Sequence, residues 1–224
     1  MYAMLIAHDA DERAALSLAL QRAGLAVTTA HELERAMKSW LERPADLVLV
    51  AVGGDPVAQV HSVRAETDVP IVIIVDTIPE ALHYDLLAQG ADLVLLRPYS
   101  TRLLIAQIRA LVRRAGSVPA FSLPTLSQGG LTLDAAARTV TVTGRRPHRL
   151  THLEFRLLYT LMSHRGQVLP TETIVERVWG YSDEGDKELV RGLVSRLRAK
   201  VEPEPRAPTY IHTVPGIGYS FDPE

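Results

Sequence analysis

The sequence predicts an α/β chain in two parts: a doubly wound domain on a five-stranded parallel sheet, then a smaller domain of three helices with antiparallel strands. Three observations predict it. The first half alternates short, almost wholly apolar runs with stretches of helical periodicity, the pattern of strands covered on both faces. A segment rich in proline and serine, Gly116–Gln128, then interrupts both patterns. The second half carries a helix-periodic run ending RGLVSRLR (Arg191–Arg198), followed by a hairpin-like TYIHTVPGIGYSF (Thr209–Phe221).

In chain order, Met4–Ala7, a weaker Ala26–Thr29, Leu47–Val52, Ile71–Val75 and Leu93–Leu96 read as strands. Glu12–Ala23, Glu32–Glu42, Val57–Glu66, Pro79–Gln89 and Thr101–Ala115 read as the helices between and after them. This places one domain at 1–115, a linker at 116–128 too short to let the halves wander, and a second domain at 129–224. There, Leu131–Leu133 and Thr139–Thr143 read as antiparallel strands reversing over Asp134–Arg138. Leu150, Leu153, Phe155, Leu157, Leu158 and Leu161 supply a first helix and its core contacts. Ile174, Val175 and Val178 mark a second, closed by Trp179 and Gly180. In the third, Lys187, Arg191, Ser195 and Arg198 recur at steps of four, four and three and so share a face, with Val190, Val194, Leu197 and Val201 opposite.

A chain of 224 residues can bury two cores, and its 47% hydrophobic and 22% charged residues are those of a soluble globular protein. No apolar run approaches the ~20 residues of a membrane helix. The acidic opening MYAMLIAHDADER lacks a small-residue cleavage site, so no signal peptide is expected. The absence of cysteine excludes disulfides, thiolate metal sites and a cysteine nucleophile, and fits a cytoplasmic protein. The eight histidines form no two-histidine metal motif, no glycine-rich phosphate loop follows the first strand, and no nucleophile–base set is visible. Neither a cofactor, a metal nor an enzymatic activity is expected. Residues 1–116 hold 11 Lys/Arg against 14 Asp/Glu, residues 117–224 hold 13 against 12, so neither half is strongly basic. The useful charge is local: residues 187–200 contain five basic side chains and only Glu188 as an acid, a placement that suits a duplex.

With LTHLEFRLL (Leu150–Leu158) and VLPTETIVERVWG (Val168–Gly180) before it, the second half resembles the winged helix-turn-helix effector domain of the OmpR/PhoB response regulators. The resemblance implies double-stranded DNA as partner. It implies base or near-base contacts from Arg191, Ser195 and Arg198 in the major groove, and phosphate contacts from Lys187, Arg196 and Lys200. It further implies backbone contacts from Thr209, Tyr210 and Thr213 of the wing, and a loop Tyr181–Asp186 facing RNA polymerase. Two residues depart from the family: Pro215 stands where a wing arginine is frequent, and Glu188 where a base is common.

The first half resembles the receiver domain of the same two-component regulators, with flavodoxin/CheY-like order. The likeness rests on LIAHDAD (Leu5–Asp11), ADLVLVAVGGDP (Ala45–Pro56) and ADLVLLRPYS (Ala91–Ser100). That family carries an acidic pair after the first strand, a phosphoacceptor carboxylate ending the third, a hydroxyl ending the fourth, and a lysine before a cis-prolyl bond. Here the corresponding residues are His8 and Asp9, Ala51, Val75, and Arg97 before Pro98; the aromatic switch position is Val94. The resemblance therefore implies an atypical receiver without a phosphoacceptor, and Asp55 and Asp76 read as solvated loop acids. The family's dimer face falls on Pro79–Gly90 and Thr101–Arg114, where Tyr84, Leu87, Leu103 and Gln107 suggest an apolar, constitutive homodimer contact. The expectation is a sequence-specific transcription regulator acting as a phosphorylation-independent dimer. The alternative is a receiver that senses a small molecule or partner protein, with His8, Asp9 and Asp76 converging at one sheet edge.

Overall fold

A computed structural model describes residues 1–38, 40, 44–51, 53–116, 123–181 and 187–223. The chain divides into two compact units, Met1–Arg113 and Arg114–Glu224.

The first unit runs β1 (Tyr2–Ala7), α1 (Ala10–Arg22), β2 (Ala26–Ala30), α2 (Leu33–Lys38), β3 (Leu47–Ala51), α3 (Pro56–Glu66), β4 (Ile71–Val75), α4 (Glu80–Gln89), β5 (Leu93–Leu96) and α5 (Thr101–Gly116). The strands pair in the parallel order β2-β1-β3-β4-β5. The order reverses beside β1, so the C-terminal ends of β1 and β3 frame the crevice where such folds place their chemistry. Ala7 and Ala51 are register partners at that edge. Every residue of β3 and β4 is buried, which is why their sequences are continuous runs of aliphatic residues. Two aspartates open helices: Asp9 Oδ1 accepts from the Glu12 amide at 2.7 Å, and Asp55 Oδ1 from the Val57 amide at 3.0 Å. Asp55, expected as a free loop acid, is thus the N-cap of α3. Of the expected helix Glu32–Glu42, the described part is α2, Leu33–Lys38; residues 39, 41 and 42 of that span lie outside the described residues.

In the second unit, β6 (Leu126–Gln128), β7 (Leu131–Asp134), β8 (Thr139–Val142) and β9 (His148–Arg149) form an antiparallel sheet. Then come α6 (His152–Met162), β10 (Leu169–Pro170), α7 (Thr171–Val178), α8 (Lys187–Val201), β11 (Ile211–Val214) and β12 (Gly218–Phe221). Part of the expected linker is therefore regular structure: Gly116 ends α5, and Leu126–Gln128 pair with Leu131–Leu133. A three-residue strand carrying Ser127 and Gln128 has too few apolar positions to announce itself. Its reversal is made by Gly129 and Gly130, both at positive φ, the two-residue turn that suits a hairpin.

Helix α6 begins in a reciprocal cap: the Glu154 amide donates to Thr151 Oγ1, and the Thr151 amide to Glu154 Oε2 at 2.9 Å. Trp179, ending α7, is buried with Ile174, Val175 and Val178. The hairpin β11–β12 gains a third strand the sequence did not advertise, β10, paired with β12. Gly218 permits this pairing: a Cβ there would lie 2.0 Å from the Leu169 carbonyl oxygen.

Candidate nucleic-acid interface

Helix α8 is sorted as its periodicity requires. Val190, Val194, Leu197 and Val201 are buried, Lys187 and Arg191 are exposed, and Ser195 and Arg198 are half-buried on the outer face. The first turns of α8 and the hairpin of β11 and β12 border a cleft of about 190 Å³, lined among others by Thr171, Lys187, Glu188, Arg191, Thr213 and Tyr219. Arg191 Nη1 stands 3.7 Å from Glu188 Oε2, one turn away on the same helix. At the hairpin tip, Gly216 takes φ 75° and Ile217 is exposed.

The remaining expected DNA contacts are redistributed. Arg198 does not point freely outward: its Nε and Nη2 donate to the Ile211 carbonyl at 3.1 and 2.6 Å, and Nη2 donates to Thr213 Oγ1 at 2.9 Å. It fastens α8 to β11. Arg196 is buried, only 9% exposed, because position 196 lies on the core-facing side of the helix one residue before Leu197. Lys200 donates to Glu154 Oε2 at 2.6 Å and to the Arg149 carbonyl at 3.0 Å, tying the end of α8 to the cap of α6. Thr209 donates its amide and its hydroxyl to Glu202 Oε2, at 2.7 and 3.1 Å. Tyr210 donates its amide to Glu202 and stacks on Phe221 with ring centroids 6.3 Å apart. These five residues are held within the unit and do not line the cleft. Of the expected set, Lys187, Arg191 and Thr213 line the cleft, and Ser195 is half-buried on the outer face of α8.

Sequence reasoning missed Glu202. It is buried and accepts from the amides of Thr209, Tyr210 and Ile211, gathering the start of the wing against the end of α8. One signal was available: an acid just past a helix C-terminus sits against the helix dipole and wants strong donors in return. The loop expected to face RNA polymerase falls mostly on residues 182–186, outside the described residues.

At the switch-point edge of the first unit, Ala51 and Val75 are buried, His8 is exposed, and Asp9 is engaged in capping α1. The charged centre is Arg97. Its Nε and Nη2 donate to the two carboxylate oxygens of Glu12 at 2.7 and 2.9 Å, and Nη1 to Asp76 Oδ1 at 3.1 Å. The Tyr99 hydroxyl donates to Glu12 Oε1 at 3.2 Å. Hydrogen bonding to Glu12 raises the Arg97 pKa, while burial, then the Glu12 charge, pushes Tyr99 up to about 12. Asp76 therefore turns to Arg97 rather than joining His8 and Asp9, and Glu12 is the member of the group that the sequence did not single out. Among the described residues, no three His, Asp or Glu side chains are grouped to hold a metal ion.

The residues expected at a dimer face differ in exposure. Leu87 and Gln107 are buried inside the unit, 1% and 6% exposed. Gln107 shares the inner face of α5 with Leu104, Ile108 and Leu111. Tyr84 is half-buried, and Leu103 is exposed at the start of α5, as is Leu96 at the end of β5.

A doubly wound unit followed by a three-helix unit with a β-hairpin wing defines a response regulator with a DNA-binding output. The chain belongs to the OmpR/PhoB-type response regulators, a family of transcriptional regulators. Residues 145–221 match the family described as "Transcriptional regulatory protein, C terminal". The chain is 37% identical over 223 residues to the transcriptional regulatory protein AfsQ1 of Streptomyces coelicolor, covering 98% of this chain and 97% of that protein. It is 34% identical over 226 residues to the DNA-binding response regulator MtrA of Mycobacterium tuberculosis, covering 98% and 96%. Among solved structures it is similar to a cysteine-to-serine mutant of RitR, with a TM-score of 0.78 at 25% identity, covering 100% and 99% of the two chains. No helix among the described residues is long and apolar enough to cross a membrane.

Proposed function

We propose that this response regulator binds specific duplex sites as a homodimer through α8 and the wing, and that its receiver operates without a phosphoryl switch. One observation carries the second part. The third strand ends in Ala51, whose methyl group offers no nucleophile, while Arg97 is already neutralised by two-pronged bonding to Glu12 and by Asp76. In receivers the corresponding cation meets the phosphoryl group; here internal carboxylates occupy it. The Mg²⁺ such folds use does not fit these residues either. A hard cation needs several oxygen ligands, and Asp9, the remaining carboxylate of the usual set, spends Oδ1 on the Glu12 amide.

Dimerisation is assigned to the exposed Leu96 and Leu103 and the half-buried Tyr84, whose apolar contacts need no modification to align charges. On the DNA side, Lys187, Arg191 and Ser195 of α8 and Thr213 of the wing form the contact set, with Arg198, Lys200 and Glu202 holding it in shape. The test weighs the intact protein after incubation with a small phosphodonor and Mg²⁺, and measures binding to a selected duplex before and after. An unmodified mass with unchanged affinity is expected. A stoichiometric phosphoryl adduct on an aspartate would overturn the proposal.

A further inference from the structure

We propose that Glu188 chooses a base pair: it is a carboxylate acceptor in the major groove that selects for an exocyclic amino group, cytosine N4 or adenine N6. The inference rests on the reading of α8 as the recognition helix. Glu188 lies in the first described turn of α8 and lines the cleft with Lys187, Arg191, Thr213 and Tyr219; Glu172 of α7 also reaches it. It is the one acid in a stretch of α8 that otherwise bears five basic side chains.

The side chain is 26% exposed, yet its Oε2 is shielded and accepts no hydrogen bond among the described residues. The nearby cation, Arg191 Nη1, stands at 3.7 Å, close enough to orient the carboxylate but beyond hydrogen-bond reach. The side chain as a whole is reachable from the cleft, and a ligand that brings a donor to its exposed part gains a charge-assisted hydrogen bond.

DNA offers few such donors. Phosphates repel a carboxylate. On the major-groove edge, guanine presents N7 and O6 and thymine presents O4, all acceptors, whereas cytosine and adenine each present an amino group. Glu188 therefore attracts two bases and repels two. Arg191, one turn further along, has the complementary preference, because a guanidinium donates two bonds to guanine N7 and O6. An acid and a base one turn apart on the outer face of α8 thus specify neighbouring pairs, one by an amino donor and one by guanine acceptors. The carboxylate also costs affinity for any duplex, since it lies between Lys187 and Arg191, which draw phosphates toward the helix.

The experiment uses the full chain. Wild type, Glu188→Gln, Glu188→Ala and Arg191→Ala are each used to select from a randomised duplex pool, and the recovered sites are measured by fluorescence anisotropy alongside a scrambled duplex. Wild type is expected to require cytosine or adenine at one pair, by ~5- to 150-fold over guanine or thymine. Glu188→Ala loses that requirement and binds the scrambled duplex more tightly. Glu188→Gln shifts the choice toward adenine, whose N6 and N7 an amide can engage together. The inference is overturned if Glu188→Ala selects the wild-type motif at every pair, or if it loses only the guanine preference that Arg191→Ala loses, which would make Glu188 a positioning residue for Arg191. Failure of the wild type to select any motif would refute the reading of α8 itself, a result distinct from either.

Discussion

Replacing Arg198 by alanine separates holding the wing from reading a base. The guanidinium gives two bonds to the Ile211 carbonyl, at 3.1 and 2.6 Å, and one to Thr213 Oγ1 at 2.9 Å, and its carbon lies 6.0 Å from the centre of the Tyr219 ring. A hydrogen bond from a charged donor contributes about 1.5–3 kcal/mol, and a cation–π contact at a partly exposed site about 0.5–1 kcal/mol. Water reaching the vacated carbonyl and hydroxyl offsets part of this, so Arg198→Ala should destabilise the second unit by about 2 kcal/mol. For a unit of roughly 100 residues that lowers Tm by roughly 8–15 °C. With β11 no longer tied to α8, affinity should fall by a similar factor on a selected site and on a scrambled duplex, and base preference should persist. Thermal unfolding followed by circular dichroism, with anisotropy titrations on both duplexes, measures both effects. If Arg198→Ala melts like the wild type and loses preference at a single base pair, the side chain reads DNA and the anchoring argument is wrong.

Glu202→Ala removes the acceptor shared by the Thr209, Tyr210 and Ile211 amides; it should cost about 3–5 kcal/mol, and amide exchange at those residues should accelerate before the rest of the unit opens. Wild-type exchange rates there would dismiss the hub. Tyr99 should ionise near pH 12 rather than 10, and Tyr99→Phe should remove that late component from an ultraviolet titration. Because the folded-state pKa is raised, its stabilising contribution is complete below about pH 10 and drains away as pH climbs from 10 toward 12, where the unfolded chain releases a proton the folded chain retains. Sedimentation at micromolar concentration should find the full chain dimeric and Leu103→Asp shifted toward monomer; a wild-type monomer would show that the exposed leucines pair nothing.

The doubly wound sheet was legible because a strand buried on both faces must be apolar at every position, as in LVLVA of β3 and IVIIV of β4. The orientation of α8 was legible for a related reason: residues 190, 194, 197 and 201 fall on one side of a 3.6-residue helix, and burial of that side requires aliphatic residues there. The short strands β6, β9 and β10 were not, since two or three residues carry no period, and their pairing depends on a turn or on the bare Cα of Gly218.

By itself, then, the sequence determined the two domains, the parallel sheet, and which face of α8 meets the core. Those features depend on hydrophobic burial, and burial leaves a periodic trace along consecutive residues. Only the tertiary structure decided what each polar side chain does. Arg97 meets Glu12 across 85 residues and Lys200 meets Glu154 across 46. Arg198 is turned back to the wing, and Gln107, one turn after the exposed Leu103, faces inward. A charged or amide group is satisfied by whichever donor or acceptor folding brings within about 3 Å, and that partner leaves no mark on neighbouring residues.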